Sequence, residues 1–479
     1  MKLYFEITKL LFKKIILRKQ LGELIKDFAE SMGVVYIKFA QMLAMQNYGN
    51  LFSEDDRVLL SSICDNCNPL SYEEVLAILK EEYGNNLDSI FKNIEIKPLG
   101  SASISQVHKA TLTNGEEVAL KIKRRNVDHQ VSKEINRLKK LMHRFGKIIK
   151  FKNYTGGEYG LELFLKWIKE EIDLDHEREN IKKYQSFTDL VNGKIKAKQI
   201  SVPKVYEEYS TSNVLVMEFI SAKTINQMEL TEGNKTKIRE GINSYIRLSF
   251  WALLNSQTVI FHSDPHSGNI CVDDTGNIIF LDMGLIYELN KEESALCREF
   301  FLAAYSKNYE KLFEMLMPFG NMNENQKTSF KKDCQKYCQE LKEKEVKNYF
   351  VDMINICFYY EIVPPKFLFS MAKAFICLNG ISKFSDNKFT AEKLLQDQIS
   401  KFLLKRSYND FKGVIKDGLE LTPIVIGDLM ENGVEKAISN IITNPNLHND
   451  IRNTLINMKE TLMILKASYQ VEEDKNKGL

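Results

Sequence analysis

A lysine, two aspartates and an asparagine in this 479-residue chain have the types and spacing that phosphoryl chemistry needs. Asp264 and Asn269 lie five residues apart in His262-Ser263-Asp264-Pro265-His266-Ser267-Gly268-Asn269. Asp264 can accept a proton from a hydroxyl or orient a water, and the amide oxygen of Asn269 can ligate a divalent cation. Further on, the apolar run Ile278-Ile279-Phe280-Leu281 delivers Asp282, followed by Met283 and Gly284. A strand that carries one carboxylate to its end supplies a second cation ligand. Upstream stands Lys121, closing Val118-Ala119-Leu120-Lys121 on a strand-like run just after the turn signal Thr113-Asn114-Gly115. Each residue alone is by default solvated. Together, in this order and on these elements, they specify a site that holds phosphates through a lysine and a metal through oxygen ligands. His262 and His266 flank Asp264, and their expected part is to brace the loop by hydrogen bonds.

The elements that must position these residues follow from the pattern of the chain. Residues 1–26 put apolar side chains at Leu3, Ile7, Leu10, Leu11, Ile15 and Leu17 among many lysines, which predicts a basic amphipathic helix. It either lies on an anionic membrane or packs on the rest of the protein. Residues 27–95 continue with helical spacing. Ser71 and Glu74 form a capping box that opens a helix over Tyr72 to Tyr83, and Gly84-Asn85-Asn86 ends it. Strands are expected at Ile96 to Ser103, Ile104 to Leu112 and Glu117 to Lys123, then at Ser201 to Tyr206 and Asn213 to Phe219. They make a five-stranded sheet interrupted by a long helical insert over 129–190. From 225 onward the chain reads as helix, except for short strands at Val259 to Phe261, Asn269 to Val272 and Ile278 to Leu281. Phe367 to Ile381 is apolar but carries Lys373, so it is expected as a core helix rather than a membrane span. Amphipathic helices follow over about 390–470.

Composition sets the class. With 44% apolar residues, 27% charged residues and a net charge of +2, the chain is an ordinary globular one, and no basic face points to nucleic acid. Its eight cysteines are scattered and no secretory signal is evident, which favours reduced thiols and a cytoplasmic location. Cys64 and Cys67 have half-zinc-site spacing, with Cys334 and Cys338 the nearest similar pair, but plain thiols are the simpler reading.

The order Lys121, Asp264-x-x-x-x-Asn269 and Asp282-Met283-Gly284 is that of protein kinases, with Met283 in place of the phenylalanine of Asp-Phe-Gly. Two kinase features are absent. No Gly-x-Gly-x-x-Gly precedes Lys121; the first strands are joined instead at Leu99-Gly100-Ser101-Ala102-Ser103-Ile104-Ser105-Gln106. Its small residues allow phosphate to approach the backbone, its serines add hydroxyl donors, and with one glycine it should be stiff. No Ala-Pro-Glu follows either, and a helix is expected at about Lys291, which leaves little length for docking a peptide substrate. Glu171, Asp173, Glu177 and Glu179 are all candidate partners for Lys121.

From about residue 30 to about 390 the chain resembles the UbiB/ADCK (AarF-like) atypical kinase family. Gly100-Ser101-Ala102-Ser103 stands where that family has an alanine-rich loop, with Gly100 and Ser101 departing from it. Lys38-Phe39-Ala40-Gln41 matches its Lys-x-Gly-Gln signature, with Ala40 replacing the glycine, and Glu171-Ile172-Asp173 matches its Glu-x-Asp signature. The resemblance implies an α+β, two-lobed protein-kinase-like fold: an N-terminal helical extension over the active site (1–95), an N-lobe with the insert (96–219), a C-lobe (220–390) and a C-terminal helical tail (391–479). It selects Glu177 as the partner of Lys121 and implies that Lys38 and Gln41 form a regulatory cap pointing at Glu171 and Asp173. It makes Met217 to Ile220 the hinge, with Glu218 and Ile220 offering backbone bonds to adenine. Gly100, Ser101, Ala102, Ser103 and Lys121 then bind the nucleotide, and Asn269 and Asp282 hold Mg2+. The implied activity is that of an ATPase or a small-molecule or lipid kinase supporting prenylquinones such as ubiquinone or other lipids, with a lipid or quinone precursor and a peripheral membrane contact as partners. Two rivals stand: a small-molecule kinase of aminoglycoside or choline type, which leaves residues 30–95 unexplained, and a non-catalytic ATP-gated scaffold, suggested by Ala40 and Met283.

Overall fold

The computed structural model describes residues 21–44, 53–61, 69–145, 157–256, 258–305, 309–320, 322–343, 356–357, 359–360, 362, 364–381, 384–385 and 456. The basic stretch before residue 21, Cys64, Cys67 and, but for Ile456, the C-terminal tail lie outside them. The described chain opens with α1 (Leu21–Met32), α2 (Val34–Ala44) and α3 (Glu54–Ser61), then α4 (Tyr72–Tyr83) and the single turn α5 (Leu87–Ile90). Four strands follow: β1 (Phe91–Ile94), β2 (Gly100–Ser101), β3 (Ser105–Leu112) and β4 (Glu117–Lys123). After α6 (Val127–Phe145), α7 (Gly157–Glu171) and α8 (Leu174–Val191) come β5 (Ile200–Ser201), β6 (Val214–Glu218) and α9 (Glu232–Asn255). The second half carries β7 (Val259–His262), β8 (Ile270–Val272), β9 (Ile278–Phe280) and β10 (Ile286–Leu289). It ends in α10 (Lys291–Tyr305), α11 (Tyr309–Leu316), α12 (Glu324–Glu343) and α13 (Lys366–Ile381).

These elements bury three apolar clusters. One is the N-lobe sheet, in the order β1-β3-β4-β6 with β2 added on β3. Its centre, β4, is buried at Val118, Ala119, Leu120, Lys121 and Ile122, as expected of a strand covered on both faces. α4 lays Val75, Ile78 and Leu79 against this sheet, and each such side chain contributes up to about 2 kcal/mol by leaving water. The Ser71 capping box opens α4 with both reciprocal bonds made. This helix therefore belongs to the sheet's core, and a boundary at residue 95 falls too late in the chain.

The second cluster is wholly helical. Ala29, Met32, Val35, Tyr36, Phe39, Ala40 and Leu60 of α1–α3 pack with Val127, Val131, Ile135 and Leu138 of α6 and with Leu161, Phe164, Leu165 and Ile168 of α7. The N-terminal helices and the first part of the insert thus make one body. The third cluster is the C-lobe, where α9 and α13 pack around the short strands and α8 joins them through Ile181, Tyr184 and Phe187.

Two strand expectations need correction. The stretch from Ile96 is not a strand: Pro98 has no N–H to pair with, Ile96 is 71% exposed, and only Gly100–Ser101 pairs. The outer strand of the sheet is Phe91–Ile94 instead, in a stretch whose spacing had suggested helix. Likewise Ser201 to Tyr206 does not form a strand of this sheet. Pro203 interrupts it; Ile200–Ser201 runs parallel to β9 in the C-lobe, and only Val205 bridges to Met217. The later strands lie at the expected places, and β10 is an addition, pairing with β7 right after Gly284. α13 is a core helix containing Lys373, and no described helix is long and apolar enough to cross a membrane.

Candidate active site

Lys121 is carried on the most buried strand of the N-lobe sheet, and its ammonium reaches across to the C-lobe. Nζ lies 2.7 Å from both carboxylate oxygens of Glu177 and 2.9 Å from Oδ2 of Asp282. Burial alone would lower the Lys121 pKa, but Asp282 and Glu177 together raise it, so the lysine is a fixed cation. Burial pushes Glu177 up to about 7, against the pull of Lys121. Asp282 moves the other way: burial would raise its carboxyl, and Lys121 outweighs that and holds it well below the usual range.

The four acids that sequence left open as partners of Lys121 are separated by geometry. Glu171 pairs with Lys38 at 2.7 Å. Asp173 is the N-cap of α8, where its side chain accepts the N–H groups of Asp175 and His176. Glu179 pairs with Lys182 at 2.8 Å. Glu177, one turn into α8, reaches Lys121 and also accepts the N–H of Met283 at 3.4 Å. Asp173 thus starts the helix that presents Glu177. Lys38 is paired with Glu171, while the carboxylate of Asp173 is committed to its own helix. Gln41 lies three residues on from Lys38 in α2 and is half-buried.

The loop around Asp264 is braced by histidine. His262 is buried, and burial lowers its pKa to about 4, so the ring is neutral. Its Nε2–H donates to the Asp282 carbonyl at 2.7 Å, and its Nδ1 accepts the Asp264 N–H at 3.0 Å. One ring therefore ties the two aspartate-bearing loops together. His266 Nδ1 accepts the Gly268 N–H. The N–H of Leu281 donates to the carbonyl of Asn269 at 2.9 Å, which sets Asn269 beside the strand that ends in Asp282. Asn180 of α8 donates to the Met283 carbonyl and holds the turn after Asp282 in place.

Asp264 itself is held from a direction that sequence reasoning missed. Lys373 Nζ of α13 is 2.9 Å from its Oδ2, and the Cys377 thiol donates to its Oδ1 at 3.2 Å. Burial would raise the Asp264 carboxyl; Lys373, aided by His266 and Lys38, holds it well below the usual carboxylate range. Burial and the Asp264 charge push the Cys377 thiol well up, so it stays protonated as a donor. The available signal was Lys373 in the middle of the apolar run Phe367 to Ile381, a residue type seldom buried without a carboxylate partner.

The Gly100–Ser103 loop is a tight, braced turn. Gly100 and Ser101 pair with Val107 and Gln106 of β3, and the Ala102 N–H donates to Ser105. Arg124 donates from Nε to the Ala102 carbonyl and from a guanidinium nitrogen to Ser101 Oγ. The Ser101 hydroxyl in turn donates to Gln106 at 3.3 Å. The Ser101 hydroxyl is therefore already used, contrary to the expectation that it is a spare donor. At the hinge, the Glu218 N–H goes to the Lys204 carbonyl and the Phe219 N–H to the Glu117 carbonyl, while the Glu218 side chain is exposed.

The ABC1 atypical kinase-like domain matches residues 62–316, just over half of the chain. The chain belongs to that family. Among curated relatives, a Shewanella loihica protein described as "Probable protein kinase UbiB" is 29% identical over 304 residues, covering 62% of this chain and 54% of that protein. An ABC1 family protein of Schizosaccharomyces pombe is 32% identical over 304 residues, covering 60% and 53%. The chain spans about half the length of these relatives. A solved complex of Rv3197 with erythromycin from Mycobacterium tuberculosis aligns over 81% of this chain and 99% of that one, at 19% identity and a TM-score of 0.42.

The donor set suits magnesium. Asp282 keeps a partly exposed carboxylate, and the backbone of Asn269 is tied to the strand that ends in it, so the two residues could share an oxygen-ligated cation. Among the described residues no group of three or more His, Cys, Asp or Glu side chains forms a complete cage. Magnesium takes its remaining ligands from water and phosphate, so a two-ligand protein contribution is enough.

Proposed function

We propose that this ABC1-family chain binds Mg-ATP between its lobes and acts as an ATPase or as a kinase for a small molecule or lipid, in support of prenylquinone or lipid metabolism. One observation carries this reading: the buried Lys121 pairs with both Glu177 of α8 and Asp282 of the C-lobe, which brings a cation for phosphate and a carboxylate for metal to one place. Lys121 and the backbone of Gly100 to Ser103 hold the phosphates. Asn269 and Asp282 hold the Mg2+, which neutralises charge on the phosphates. With two hinge donors already engaged, adenine takes the Glu218 carbonyl and the Ile220 N–H.

The low proton affinity of Asp264 makes it a poor proton store, so its part is to orient the attacking hydroxyl or water. A loose transition state asks for little more. Acceptors are small for a structural reason. Directly after Gly284 the chain enters β10, which pairs with β7, and the Ser263 N–H closes onto the Leu285 carbonyl. No stretch between Asp282 and α10 is left to dock a peptide. The family resemblance carried by the Lys38 and Glu171 signatures suggests the quinone-linked role; the phosphoryl acceptor follows from the test.

The test is ATP hydrolysis by the purified chain with magnesium, with and without anionic liposomes, beside Asp264→Asn. Turnover that rises with liposomes and disappears in the variant is expected. ATP binding without turnover under every condition would replace the enzyme by an ATP-gated scaffold.

A further inference from the structure

The catalytic loop supplies no lysine or arginine of its own: Pro265, His266, Ser267 and Gly268 separate Asp264 from Asn269, and the His266 ring is used on the backbone. A phosphoryl group in transfer carries negative charge on its equatorial oxygens, and sites that move it place a cation on the acceptor side as well as on the leaving side. On the leaving side stands Lys121. On the acceptor side the nearest ammonium is that of Lys373, on a helix far along the chain.

Lys373 is an unlikely residue to be in α13 for packing. Around it Phe367, Leu368, Met371, Ala372, Ala374, Leu378 and Ile381 are buried in the C-lobe core. A lysine there must lose much of its hydration, and only carboxylates repay that. Burial would lower its pKa, but Asp264 and, more weakly, Glu171 raise it, while Lys38 and Cys377 are the other groups facing it. The side chain is not sealed in. It remains 23% exposed, and that of Asp264 21%. Trp167 of α7 meets Phe369 of α13 at 6.4 Å, so the helix is fixed to the helical body that carries Lys38. A cation held in this way, partly exposed and next to the group proposed to orient the nucleophile, could touch the terminal phosphate.

We propose that Lys373 is a second phosphate-binding cation, contacting the terminal phosphate of the nucleotide from the Asp264 side of the cleft, opposite Lys121. This deepens the Mg-ATP reading and rests on it. Lys121 serves the part of the nucleotide common to ATP and ADP, whereas Lys373 serves the part that only ATP has.

The experiment is calorimetric titration of the full chain with Mg-ATP and with Mg-ADP, for wild type, Lys373→Met, Lys373→Arg and Lys121→Met, each first melted without nucleotide. Lys373→Met should weaken ATP about tenfold or more and leave ADP within about twofold, as expected for one lost charge-assisted contact. Lys373→Arg should recover most of the loss, and Lys121→Met should weaken both nucleotides. Should Lys373→Met unfold, Lys373→Ala titrated with and without methylammonium replaces it, and restored ATP affinity is the expected result. Equal effects of Lys373→Met on ATP and ADP would reduce the lysine to a support for Asp264. Tighter ATP binding would make it a plug that phosphate must displace. If wild type binds neither nucleotide, the Mg-ATP reading itself fails; if it binds both and the variant loses neither, only the role of Lys373 does.

Discussion

The two ends of the cleft use the same chemistry and are built differently. At the Lys121 end, a strand, a helix and the loop after β9 converge, and the lysine sits between two carboxylates with almost no exposure. At the Asp264 end, one carboxylate is held by a lysine and a thiol from α13, with the Lys38–Glu171 pair nearby. The first end stands on the sheet and the C-lobe core; the second depends on how a helical body and a late helix are docked. If the proposed reading holds, nucleotide binding and turnover rest largely on different supports, with Lys373 and the terminal phosphate as their one shared point.

The largest effect should come from the Asp264 end. Asp264→Asn keeps the shape of the loop but removes the group that orients the nucleophile, and leaves the Lys373 charge without its partner. Turnover should fall roughly a thousandfold while ATP affinity stays within a fewfold. Parallel hydrolysis and calorimetry check this, and a matching loss of affinity would join the two ends again. Next comes Asp282→Asn at the other end. It should lower ATP affinity about a hundredfold in magnesium, with little change in EDTA; unchanged magnesium-dependent binding would take the metal role away from Asp282.

A third change sharpens the contrast from a distance. Gly33, between α1 and α2, has φ +124°, and a Cβ there would overlap the carboxylate of Glu134. That carboxylate is buried on α6 and accepts the Val35 N–H at 3.0 Å, so it caps α2 and pins the helical body together. Gly33→Ala should cost about 2 to 3 kcal/mol, from backbone strain and the displaced carboxylate. Because α2 carries Lys38, turnover should suffer more than ATP affinity. Equal losses would show that the cap supports both ends alike.

What the sequence made legible follows the same division. Lys121 lies within a short apolar strand and Asp264, Asn269 and Asp282 stand next to the ends of others, all within recognisable runs, so type and spacing point to them directly. Ser71 and Glu74 make their capping box within four residues of each other. Lys373 has no such neighbourhood: its partner is more than a hundred residues away, and locally it only interrupts an apolar run. The misplaced strands have a common cause. Ile96 and Val202 raise local strand propensity, but Pro98 and Pro203 deny the ladder a donor, and pairing decides. Phe91–Ile94 was hidden because only its two ends are buried, a spacing that fits a helix as well as a strand.

The smallest effect tests the support of the Lys121 end. The Ser71 hydroxyl accepts the Glu74 N–H, and the Glu74 carboxylate accepts the Ser71 N–H at 2.8 Å, which closes the first turn of α4. α4 covers the sheet through Val75, Ile78 and Leu79, on the side where Leu120 and Ile122 of the lysine strand are buried. Ser71→Ala should destabilise the chain by about 1 kcal/mol, seen as a lower midpoint in thermal or urea unfolding. The first turn of α4 frays without altering the register of β4, so ATP affinity measured well below the midpoint should stay as in wild type. A Ser71→Ala protein with normal stability but weaker ATP binding would mean that α4 acts on the phosphate loop itself. The path would run through Leu70, whose N–H donates to the side chain of Gln106 at 2.7 Å, and from Gln106 to Ser101.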